Sequence, residues 1–247
     1  MKKTLMKCAL AVAALCGGAG ALAGAVPATI TFDQLAPSPF APGMPLLGHG
    51  DEFYEAGFWL APFSNSPLAQ PGDLVGAIVD GAELQATCWG VVCPSNNGSS
   101  FFTGLNDGVM ALGRTDRLGF KVAGFDASFV GNGDATPPVA GLLRLQGITA
   151  DGLSLTQTFQ LAGMSPTGTL SFASYLTSGL FAETEFTTLY AFGFSCNAAG
   201  NCSAFGSDRA QFALDNVNLN VIPEPASLAL VVLALGAAGL GRRRRSV

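Results

Sequence analysis

The sequence predicts an all-β protein, an antiparallel jelly-roll-like β-sandwich set between two apolar termini. Three observations lead there. From Val26 to Asn220 the punctuation is Gly, Pro, Asn and Asp, and the runs between are short. Those runs alternate apolar with polar residues, the period of a half-buried strand. Outside the termini, no stretch repeats apolar positions at helical spacing over eleven residues.

Residues 1–25 read as an export signal. Lys2, Lys3 and Lys7 form the positive n-region, an apolar run from Cys8 to Leu15 follows, and Ala21-Leu22-Ala23 is an A-x-A cleavage site, with a second option ending at Ala25. The core is too short for a permanent anchor. Bulky Leu15 before Cys16 argues against lipoprotein processing. The implied partners are the secretion translocase and signal peptidase. Strands are predicted over Thr29–Phe32, Glu52–Ala61, Leu74–Val79, Leu118–Val130, Val139–Thr149, Leu153–Leu161, Thr169–Tyr175, Phe186–Ser195 and Ala210–Val221. The clearest hairpin joins Leu142–Thr149 to Leu153–Leu161 around Asp151-Gly152. Ala36–Pro45 and Gly131–Pro138 read as loops, and no repeat of solenoid spacing is present. The domain division is therefore a signal (1–25), an extracytoplasmic body (26–220) and a C-terminal segment (221–247).

Charge narrows the function. The chain carries −5 overall, but within the body five basic residues face sixteen acidic ones, a balance of −11. Such a body repels nucleic acid and anionic lipid. A single histidine, His49, excludes a His-rich metal centre.

The C-terminal segment begins with Pro223-Glu224-Pro225, continues as the apolar run 226–241 and ends in Arg242, Arg243, Arg244 and Arg245. The run is somewhat short of the roughly 20 residues that span a bilayer, and snorkelling arginines make up part of the deficit. The positive-inside rule keeps the arginines cytoplasmic and the body outside the inner membrane. This tail resembles the PEP-CTERM sorting signal of Gram-negative bacteria. The resemblance implies that a membrane enzyme, exosortase, cuts near the motif and releases the protein to the surface or matrix, so that the membrane helix is temporary.

Gln211-Phe212-Ala213-Leu214-Asp215-Asn216-Val217 carries a Q-F-x-x-D spacing and resembles the last strand of a group of PEP-CTERM proteins named for it. It is also similar to the closing strand of jelly-roll carbohydrate-binding modules. The resemblance implies a structural calcium held by Asp215 and, near the first strand, Asp33, against the plainer reading that Asp215 and Asn216 end a strand and bond nearby backbone.

Four cysteines lie in the body, as Cys88-x4-Cys93 and Cys196-x5-Cys202. In an oxidising compartment the two local disulfides are expected, pinning loop tips and contributing roughly 2 kcal/mol each. A four-cysteine zinc site would use tighter spacings. No nucleophile-elbow, zincin, phosphate-loop or dinucleotide motif is present. A triad would have to use His49 with Asp51 or Glu52 beside it, and no nucleophile is marked. The aromatics are more informative. Reading Glu52–Ala61 as one strand places Phe53 and Trp59 on one face and Tyr54 and Phe58 on the other. Phe101 and Phe102 follow Asn96-Asn97-Gly98, and Trp89, inside the Cys88–Cys93 loop, is the candidate sugar contact. The expected function is a non-catalytic binding or structural component of the cell-surface or biofilm polysaccharide matrix. The alternatives are a secreted hydrolase with a carboxylate pair and a matrix filler without a specific ligand.

Overall fold

A computed structural model describes residues 25–37, 45–88, 90–134, 136–205 and 211–222. Residues 1–24, expected as an export signal, the Pro-Glu-Pro motif, the apolar run and its arginines, and Trp89 lie outside the described residues. Strands follow in the order β1 (Val26–Ile30), β2 (Leu46–Gly48), β3 (Phe53–Glu55), β4 (Phe58–Ser64), β5 (Leu74–Asp80), β6 (Ser100–Gly104) and β7 (Gly108–Arg114). They continue as β8 (Phe120–Phe129), β9 (Val139–Ile148), β10 (Ser154–Ala162), β11 (Ala173–Leu176), β12 (Thr188–Cys196), β13 (Cys202–Ser203) and β14 (Phe212–Val221). Residues Pro27–Val221 form one unit made of two packed antiparallel sheets. The first runs β11-β8-β14-β6-β5-β2 with β1 also on β14, and the second runs β10-β9-β12-β7-β4-β3 with β13 on β12. Among the described residues no helix is long and apolar enough to cross a membrane.

Local chemistry explains the connections. At the β9–β10 turn the Thr149 N–H reaches Leu153 O at 3.0 Å, and Gly152 takes φ 86°, so a three-residue loop ends on a left-handed glycine. The segment expected as one strand, Glu52–Ala61, is instead the β3–β4 hairpin. Ala56 and Gly57 both take positive φ (49° and 83°), the two-residue turn that matches strand twist. The turn resets the side-chain parity. Tyr54 pairs with Trp59 and Phe53 with Leu60, so Tyr54 and Trp59 share the outer face while Phe53 and Phe58 enter the core. The groupings predicted from a continuous strand, Phe53 with Trp59 and Tyr54 with Phe58, are thereby exchanged for Phe53 with Phe58 and Tyr54 with Trp59.

Strands β6 and β7 are absent from the predicted set; in β7 every residue of Gly108–Arg114 is buried and no polar alternation marks it, and β6 is buried over four of its five residues. Phe101 and Phe102 are fully buried core rather than a sugar face. The predicted strand Thr169–Tyr175 is ordered as a strand only over Ala173–Leu176. Two short helices, Leu84–Thr87 and Gly179–Glu183, were likewise not expected.

Between the sheets lies a phenylalanine core: Phe58 meets Phe120 edge-on at 5.2 Å, and Phe125 meets Phe159 edge-on at 4.8 Å. Buried Glu55 ties the layers together, its Oε1 accepting from the Thr31 N–H and hydroxyl (3.1 and 2.8 Å) and its Oε2 from the Phe32 N–H (2.9 Å). A smaller cluster of Val79, Cys93, Phe101, Val130 and Ala213, with half-buried Leu84, Cys88 and Phe172 against it, covers part of the first sheet's outer side. The Cys88–Cys93 disulfide therefore packs into an apolar layer, which corrects the expectation that it only pins a loop tip.

Close packing decides where side chains are forbidden. A Cβ added at Gly147 of β9 would lie 2.4 Å from the ring of Phe186, which is fully buried. Gly147→Ala is expected to destabilise the fold by about 1–3 kcal/mol through overpacking, read as a lower denaturant midpoint with an unchanged slope.

Candidate functional site

The outer face of the second sheet carries an aromatic groove. In β12, Leu189, Ala191 and Gly193 point inward, so alternation turns Tyr190, Phe192 and Phe194 outward. In β4 the same rule presents Trp59, Ala61 and Phe63. Between these strands runs β7, whose outward positions are only Val109, Ala111 and Gly113. The register sets one row as Phe63, Val109, Phe192, Arg144 and Thr158, and the next as Ala61, Ala111, Tyr190, Gln146 and Thr156. Aromatic walls thus flank a floor of small residues. Trp59 lies over the glycine, since a Cβ at Gly113 would sit 2.7 Å from its Cζ2.

Phe63 and Tyr190 meet edge-on across that floor at 6.0 Å. Phe205 stacks on Phe192 at 5.3 Å, brought there by the chain that leaves the β12–β13 hairpin, which the Cys196–Cys202 disulfide closes. The resulting cavity, about 220 Å³, is lined by Phe63, Asn65, Gln146, Tyr190, Phe192 and Phe205 over Val109. That is smaller than the roughly 300–1,000 Å³ of sites that enclose a small ligand. It suits one ring of a longer chain, with apolar faces for C–H contact and two amide side chains for hydroxyls.

A second constellation sits on the first sheet. Asp215 of β14 is fully buried and pairs directly across from Asp126 of β8. The ladder slips between Asp215 and Asn218, and Asn216 takes φ 47°, a bulge that turns both Leu214 and Val217 to the core. Asp215 Oδ1 accepts from the Asn216 N–H at 2.7 Å, and its Oδ2 accepts from Asn97 Nδ2 at 2.7 Å and Ser99 Oγ at 3.4 Å. The Asn216 amide bridges the two acids, donating to Asp126 Oδ2 (2.9 Å) and Asp215 Oδ2 (3.2 Å). Asp33 joins from the end of β1, its Oδ1 accepting from the Ser100 N–H at 2.8 Å. Burial pushes the Asp215 carboxyl up to about 6. The hydrogen bonds from Asn216 and Asn97 oppose the rise, and the charges of Asp33 and Asp126 add to it.

The structure thus brings Asp33 and Asp215 into one neighbourhood and adds Asp126, which sequence reading had not singled out. The oxygen donors fit Ca²⁺ in kind. Among the described residues, however, no three acidic, histidine or cysteine side chains converge as a metal cage. Cys88–Cys93 and Cys196–Cys202 are the two disulfides. His49 Nδ1 accepts from the Ser64 N–H at 3.1 Å, while Asp51 takes the Gly48 N–H and Glu52 the Tyr54 hydroxyl, so neither acid orients the imidazole. The groove residues Tyr190, Phe192 and Phe63 had escaped notice as a site. Aromatics two apart on β12, with small residues between them, were the legible signal.

Because the Asp215 carboxyl binds its proton more tightly when folded than when unfolded, its contribution is greatest below pH 4 and is lost as pH rises from about 4 to about 6. The expected loss is roughly 3 kcal/mol at most. Thermal melts between pH 4 and pH 7 in chelator should show that fall, and Asp215→Asn should flatten it.

Comparison with known proteins adds four findings. No curated protein matches the chain. A DUF4465 family protein from Bacteroides caccae aligns at 13% identity over 78% of this chain and 98% of its own, with a TM-score of 0.46. TmCBM61, solved with β-1,4-galactotriose, aligns at 8% identity over 65% of this chain and 86% of its own, with a TM-score of 0.32. Scores of this size carry no argument about ligand or activity. Residues 221–245 match the PEP-CTERM protein-sorting motif, and the chain is therefore one that bears the sorting signal of exported, exosortase-processed proteins.

Proposed function

We propose that the protein acts outside the inner membrane, after exosortase processing, as a non-catalytic polysaccharide-binding component of the cell-surface or biofilm matrix. The observation that carries this reading is the aromatic groove on the second sheet: half-buried rings flank a floor of Val109, Ala111 and Gly113, with Asn65 and Gln146 beside them. Rings left on a sheet face supply apolar contact to sugar C–H surfaces, while neighbouring amides supply directional hydrogen bonds.

The hydrolase alternative draws less support. Among the described residues the groove's lining contains no carboxylate, and the directly paired acids Asp126 and Asp215 belong to the other sheet, where Asp215 is fully buried. The filler alternative leaves the aromatic face without a use. Trp89 stays a proposed contact by its place in the Cys88–Cys93 loop. Calcium, where bound, would be held by Asp33 and Asp215 with neighbouring neutral oxygens, and would supply charge neutralisation to β14 rather than chemistry.

Two measurements test these readings. On a polysaccharide array, Tyr190→Ala and Phe192→Ala should each weaken retention at least tenfold while Asp33→Asn leaves it unchanged, and a binding profile indifferent to both aromatic substitutions overturns the groove assignment. For calcium, adding the ion should raise the melting temperature more at pH 7 than at pH 5, where Asp215 is mostly protonated. No difference between calcium and EDTA at pH 7 removes the metal.

A further inference from the structure

We infer that the groove's occupant is an acidic polysaccharide, a polymer bearing uronate or similar carboxylates, and that Arg144 is the residue that selects it. The inference rests on the polysaccharide reading of the same groove. Arg144 lies on the outer face of β9, its Cα paired with Phe192 of the groove wall and two residues from Gln146 of the lining. Its guanidinium sits 4.7 Å from the centroid of the Phe194 ring, and its Nε donates to Thr158 Oγ1 at 3.0 Å. The ring contact and the Nε hydrogen bond together hold the guanidinium in place. A guanidinium is the side chain whose planar fork can grip a carboxylate with two parallel bonds.

Charge distribution points the same way. The body carries sixteen acidic residues against five basic ones. Yet the register places no acid on the outward positions of β4, β7, β12, β9 or β10. Arg144 is the one cation among them. The partners of Arg144 among the described residues, Thr158 and Phe194, are not acids. On the described positions of these five strands an anionic chain would therefore meet one positive charge and no outward-pointing acid, while acids farther than about 8–10 Å away are largely screened at physiological salt.

The test compares polygalacturonate, alginate and hyaluronan with their carboxyl-reduced, neutral counterparts, using the purified protein in affinity electrophoresis or calorimetry. The expected result is binding of at least one native polymer at least tenfold tighter than its reduced form. Arg144→Gln should abolish that preference without weakening the reduced polymer, and Arg144→Lys should restore only part of it, because a point charge lacks the fork. Equal binding of native and reduced polymers, or a preference untouched by Arg144→Gln, overturns the carboxylate assignment and leaves the groove reading standing. Binding of neither form of any polymer overturns both. Should Arg144→Gln fail to fold, the native-against-reduced comparison on the unsubstituted protein still decides.

Discussion

Alternation along β12 is the constraint on which the candidate site depends. Leu189, Ala191 and Gly193 must face inward because the opposing sheet leaves no room for more: a Cβ at Gly193 would lie 2.8 Å from both Gln211 and Phe212. Once those three are inside, Tyr190, Phe192 and Phe194 have only the outer face. A slip of one residue would bury three rings against Phe212 and expose the small residues, so the core and the groove are specified together. Neighbouring β7 adds the complementary condition, because only Val109, Ala111 and Gly113 face outward there, low enough to make a floor.

The two outer faces of the sandwich are treated differently. On the first sheet, the segment that follows β5 folds back with the Cys88–Cys93 disulfide and contributes to a second apolar cluster around Val79, Phe101 and Ala213. Beneath the Asn97–Ser100 stretch, Asp215 is held by amides and hydroxyls, an arrangement that satisfies a buried carboxylate while leaving it easier to protonate than an exposed one. Among the described residues the second sheet has no such apolar cluster over its central strands. Its disulfide closes a hairpin whose following chain brings Phe205 over Phe192 and shapes the rim of the groove.

Much of the architecture was legible because strand signals are local. The β9–β10 hairpin, the pairing of each cysteine with its near neighbour and the closing strand through Phe212 and Asp215 follow from short-range chemistry. Failures came where local pattern is silent or misleading. A fully buried strand such as β7 shows no alternation, and Ala56-Gly57 lacks the Asn-Gly or Asp-Gly signature of a two-residue turn, so one strand was read where two exist. That single error put Phe53 with Trp59 and Tyr54 with Phe58, where the turn instead groups Phe53 with Phe58 and Tyr54 with Trp59.

The sequence by itself determined the sorting motif and the fold class: the tail carries the motif in its own composition, and alternating runs need no partner to be recognised. Which aromatics become core and which become surface was decided only by tertiary structure. Facing is a relation between a strand and its neighbours, set by register across β4, β7, β12 and β9, and residues more than a hundred positions apart in sequence, such as Phe63 and Tyr190, meet only when those strands lie side by side. The same holds for Asp33, Asp126 and Asp215, whose proximity is created by β14 lying between β8 and β1.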